Sequence, residues 1–160
     1  MSLLLLFTFF VSSSSTAQQI WQNDLSIEKL SVEKSGGYYV FYLTFKSNGD
    51  FDVRSPKLIF NLPRNSSIRA ITLPKSFEST AYQIFGSEAQ ALPPGAQSED
   101  IDSYINFDLS NLRKDATATF KISILAKEKG LPKAAAASAF IYSLTPEADK
   151  NNNFKSISIN

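Results

Sequence analysis

The chain has 160 residues, enough for one domain of ordinary size. Lys and Arg total 16 and Asp and Glu 15, so the net charge of +1 offers no polyelectrolyte field for nucleic acid or an anionic membrane. Histidine and cysteine are both absent, which excludes disulfides, imidazole and thiolate metal sites, and the nucleophiles that depend on either residue.

Leu3 to Val11 (Leu-Leu-Leu-Leu-Phe-Thr-Phe-Phe-Val) is apolar but too short for the ~30 Å hydrocarbon layer, which takes about 20 helical residues. It fits the h-region of a secretory signal peptide over 1–17. The n-region carries only the α-amino charge, and Ser15 and Ala17 fit the small-x-small cleavage pattern, leaving Gln18 as the first mature residue. No second apolar stretch of membrane length follows. The expected product is exported, to the cell surface, the extracellular space or the periplasm, with residues 18–160 as a single domain and no membrane span after cleavage.

The remaining signal is a period of two. Leu25 and Ile27 are followed out of phase by Leu30 and Val32, which predicts a bulge or a strand that changes partners. Gly36-Gly37 is a turn, Tyr38 to Lys46 alternates as a strand, and Asn48-Gly49-Asp50 ends it. Leu58, Phe60 and Leu62 alternate, with Pro56 upstream arguing for a late start or an edge position. Ile68 and Ala70 mark a short strand, and Tyr82, Ile84 and Phe85 a weak one. Leu92 to Asp100 is a loop. Ile105, Phe107 and Leu109 alternate before the turn at Arg113-Lys114-Asp115. Ala118, Phe120, Ile122 and Ile124 form the clearest alternating set. The alanines Ala134 to Ala137 are helical in local composition. Ser138 to Leu144 is extended, Pro146 to Asn153 is a polar loop, and Ile157 with Ile159 closes the chain. Seven to nine strands with frequent turn signals and no amphipathic helix predict an all-β, antiparallel two-sheet sandwich. A barrel is the alternative, disfavoured by the uneven strands and recurring prolines.

Four stretches carry a resemblance to a known family: Asp24 to Ile27, Tyr39 to Gly49, Asp108 to Leu112 continuing through Ala118 to Ile122, and Pro146 to Asn153 with the isoleucines after it. In this order they resemble the Ig-like conserved-repeat modules of bacterial surface proteins (domain of unknown function number eleven) and the related bacterial cell-adhesion-related domains. Lys114-Asp115 departs from the usual Pro-Gly or Gly turn, and Phe154 and Lys155 stand where small residues are usual, which bears on the register of the last strand. The resemblance implies an Ig-like fold and a non-catalytic role in surface architecture or adhesion; it implies no ligand.

The acidic group Glu99, Asp100 and Asp102 has the residue type for glycoside acid–base work, but it lies in a Pro/Gly/Ser-flanked loop where charges are ordinarily just solvated, so no catalytic residue is assigned. Glu147, Asp149 and Asn151 alternate along the closing loop and present oxygens of the kind Ca²⁺ takes, although Asn and Asp there also shape turns by bonding their own backbone. No other cofactor is expected. If Tyr39, Phe41, Leu43 and Phe45 face the core, Tyr38, Val40 and Tyr42 form an outward stripe suited to sugar rings or a neighbouring protein. The sequence therefore predicts an exported, non-enzymatic module for surface architecture, adhesion or protein–protein contact, with envelope or surface proteins as partners. A carbohydrate-binding module using the outward aromatics, with glycans as partners, is the alternative.

Overall fold

The computed structural model describes residues 22–86, 101–127 and 130–159. The expected signal peptide and the acidic residues Glu99 and Asp100 lie outside them. The described strands are β1 (Leu25–Ser35), β2 (Tyr38–Ser47), β3 (Val53–Arg54), β4 (Lys57–Pro63), β5 (Ser66–Thr72), β6 (Ala81–Gly86), β7 (Ile101–Asp108), β8 (Asn111–Leu112), β9 (Thr117–Ala126), β10 (Ala136–Tyr142) and β11 (Phe154–Ser158). Short 3-10 turns stand at Lys75–Phe77 and Asn151–Asn153, and none of the described residues is α-helical.

Two antiparallel sheets make the sandwich. One has the order β1-β2-β9-β5 and the other β11-β10-β4-β7-β6, while β3 and β8 pair as a small ribbon. The eleven strands exceed the expected seven to nine. β3 and β8 are two residues each, too short to display an alternation.

The core lies where inward positions of the two sheets meet. Phe41 of β2 packs on Phe60 of β4 with ring centroids 5.2 Å apart. Phe120 of β9 meets Phe107 of β7 at 5.1 Å and Phe45 of β2 at 5.0 Å. Phe77, from the turn that carries the chain from β5 to β6, closes this cluster against Phe45 and Phe120. Such tilted and edge contacts suit the aromatic quadrupole.

The phase slip in β1 is a bulge: its pairing with β2 shifts between Ile27 and Lys29. Two expectations are corrected. β4 is central rather than an edge, pairing with β10 on one side and β7 on the other. Pro56 precedes the strand, and Pro63 falls at its end where the register shifts, so neither proline removes an interior ladder bond. The alanine run is not helical: Ala136 opens β10, and Ala137 and Ala139 are buried. β1 packs against β10. Tertiary packing there overrides the local helical preference. The last strand pairs Phe154 with Phe140 and Ile157 with Ala137, which fixes its register.

Candidate functional site

The outward stripe is where the alternation puts it, on the solvent side of β2, but its rings are not bare. The Arg69 guanidinium carbon lies 4.0 Å from the Tyr38 ring centroid, and the Lys121 ammonium 5.6 Å from that of Tyr42. Both are cation–π distances. Lys121 is the β9 residue paired with Tyr42, whereas Arg69 sits at a register shift in β5 and reaches across β9. Val40, between the two tyrosines, is only 5% exposed. The Ser35 hydroxyl donates to the Tyr38 phenol oxygen at 3.4 Å and, with Arg69, holds that phenol below its ordinary pKa against the opposing effect of burial. The Tyr42 phenol donates to Glu33 Oε2 at 3.2 Å, and burial together with this carboxylate raises its pKa.

In the closing loop, Glu147, Asp149 and Asn151 do not converge on a point. Glu147 Oε1 accepts the Ser143 N–H at 3.1 Å, and its Oε2 accepts from Asn153 Nδ2. Asp149 Oδ1 accepts the Asn151 N–H at 2.8 Å, a local turn bond. Among the described residues no three acidic, His or Cys side chains gather to hold a metal ion. The loop is instead pinned to the start of the domain. Asn23, fully buried, donates from Nδ2 to Ser143 Oγ at 2.6 Å and to Thr145 Oγ1 at 3.2 Å, and its carbonyl accepts the Ala148 N–H at 2.8 Å. The turn Asn48-Gly49-Asp50 packs on the same segment. A Cβ at Gly49 would lie 2.8 Å from Asp24 N and 2.9 Å from Gln22 O, so this glycine serves close approach rather than a positive φ.

Sequence reasoning missed the aromatics of the five-stranded sheet. Phe85 and Tyr104 stack on its outer face at 4.9 Å and 18°, and Phe140 and Tyr142 at 5.4 Å and 19°. Phe140 and Tyr142 line an open groove of about 480 Å³ whose other wall is the closing loop, with Glu147, Lys150 and Asn153. The alternation of Phe140 and Tyr142 was a readable signal; which loop residues would face them was not.

The four edges of the two larger sheets differ in chemistry. β1 carries Glu28, Lys29, Glu33 and Lys34, β5 carries Arg69, and β11 carries Lys155. β6 (Ala-Tyr-Gln-Ile-Phe-Gly) carries no charge, and its Tyr82 and Ile84 are 46% and 55% exposed. These two side chains fall in register with Phe107 and Ile105 of β7.

No protein-family model matches the chain, and no curated protein matches its sequence. Among solved structures, the chain is similar to the Streptococcus suis adhesion Fhb, at 15% identity over 84% of each chain and a TM-score of 0.49. It is also similar to the chitin-binding domain of a Pyrococcus furiosus chitinase, at 13% identity over 88% of this chain and 99% of that one, TM-score 0.38. A family 3b carbohydrate-binding module from Clostridium clariflavum shares 9% identity over 81% of this chain and 97% of its own, TM-score 0.38. At these values the functions of those proteins do not transfer to this chain.

Proposed function

We propose that this protein is an exported, non-enzymatic module of cell-surface architecture or adhesion that acts by protein–protein contact along β6. One observation carries this reading: of the four edges of the two larger sheets among the described residues, only β6 lacks a charged residue, and it exposes two large apolar side chains. Natural edge strands are ordinarily guarded by charge, proline or a covering element, because a free ladder accepts another strand. An uncharged edge with alternate apolar side chains is what strand addition uses: backbone bonds supply affinity and the alternate side chains supply choice. The lack of His and Cys agrees with a role in contact rather than catalysis, as does the role implied by the resemblance to Ig-like surface modules.

The test is light scattering after size-exclusion chromatography, with pull-down from envelope extract, on the unaltered chain and on Ile84→Lys and Gln83→Lys. Self-association or a recovered partner that both substitutions abolish supports the reading. A strict monomer that recovers no partner, or a complex indifferent to both substitutions, overturns it.

A further inference from the structure

We propose that the groove between Tyr142 and the closing loop is a binding site for a neutral pyranose ring. It stands apart from the β6 contact, and neither requires the other.

Phe140 and Tyr142 are alternate residues on one face of β10, their rings stack on each other, and both line the groove. The opposite wall carries the Glu147 carboxylate, the Lys150 ammonium and the Asn153 amide beside the apolar Leu144 and Pro146. The volume of about 480 Å³ falls within the ~300–1,000 Å³ of ordinary small-ligand pockets. A second observation points to a ligand. Asn153 is 1% exposed, its Nδ2 is held by Glu147, and its Oδ1 has no hydrogen-bond partner. Buried polar atoms are ordinarily paired; this one is shielded from solvent, so a ligand hydroxyl supplies its missing donor with a small shift of the exposed loop.

The chemistry of these walls selects the ligand class. A purely apolar ligand would leave the Asn153 oxygen and the Lys150 ammonium unanswered. An anion would face the Glu147 carboxylate. A cation would compete with the two N–H donors already on that carboxylate. A neutral pyranose suits these walls: its C–H face lies on the aromatic side, and its hydroxyls donate to Asn153 and accept from Lys150. Tyr38 and Tyr42, whose rings carry cations, offer no comparable wall.

The test is an NMR titration of the purified protein with three neutral disaccharides, cellobiose, N,N′-diacetylchitobiose and galactobiose. At least one is expected to shift the backbone amides of residues 142–153 saturably. Tyr142→Ala is expected to weaken that binding by about tenfold or more. Lys150→Gln, in an exposed loop that tolerates the change, weakens it severalfold and keeps the test open if Tyr142→Ala fails to fold. Tyr42→Ala leaves it unchanged. Saturable binding that maps to the Tyr38–Tyr42 face, binding that survives the groove substitutions, or no saturable shift with any of the three at millimolar concentration overturns the proposal.

Discussion

The Arg69 guanidinium sits over the Tyr38 ring although the two residues belong to strands separated by β9. A register shift in β5 thereby contributes, behind the Ser35 hydrogen bond, to the setting of a phenol two strands away. Tyr42, on the same face of β2, has the opposite setting, first through burial and then through the Glu33 carboxylate.

The two phenols are expected to titrate in a fixed order, Tyr38 before Tyr42. The Tyr38 pKa is lowered from the ordinary 10.0, chiefly by the Ser35 hydrogen bond, so its contribution to stability is present above 10.0 and lost as pH falls through the folded value. The Tyr42 pKa is raised, first by burial and then by Glu33, so its contribution is present below 10.0 and lost as pH rises through the folded value. Tyrosinate absorbance, with Tyr38→Phe and Tyr42→Phe to assign the steps, checks the order. Ser35→Ala should move the Tyr38 step upward, and Arg69→Ala should do the same by less.

Phe120→Ala removes the ring shared by Phe45, Phe77 and Phe107. Truncating a fully buried Phe costs about 3–5 kcal/mol, a large share of the stability of a domain of this size. Denaturant unfolding should show a midpoint lowered accordingly with little change in slope.

Gly49→Ala places a methyl against the backbone of residues 22–24, which has no flexible end to yield. Overpacking of this kind costs about 1–3 kcal/mol, a drop of several degrees in melting temperature for a chain of this length. Gly37→Ala is a useful contrast. Nothing lies within 4 Å of its added Cβ, and the strain there comes only from its φ of +91°.

Asn23→Ala removes the donor that ties the closing loop to the first residues of the domain. A loss of about 1–2 kcal/mol is expected, read by thermal melting. Hydrogen exchange of residues 143–148 should rise with it. Adding Ca²⁺ to the unaltered protein should leave the melting temperature unchanged, because both Glu147 oxygens already hold N–H donors. An upward shift would mean that the loop gathers around the ion.

Alternation made much of the fold legible. β9 was visible from Ala118, Phe120, Ile122 and Ile124, and the bulge in β1 from the slip between Ile27 and Leu30. A period reports which face a residue takes, not which strand lies beside it. For that reason Pro56 left an edge position open for β4 beside a late start, and Ala134 to Ala137 read by composition alone. The same limit applied to the sites. Period two put Tyr38 and Tyr42 outward, yet the cations above them come from β5 and β9, through a bulge and a register that only the assembled sheet defines. Tyr142 could have been picked out, but Asn153 faces it only after the loop folds back onto Asn23.

If contact runs through β6, the one uncharged border of the two larger sheets among the described residues, the molecule has a valency of one. On that reading two copies joined there would satisfy each other around a two-fold axis, and the larger sheets of the pair would present only charged borders to newcomers. Growth by that route would stop at the first step and would seed no fibre.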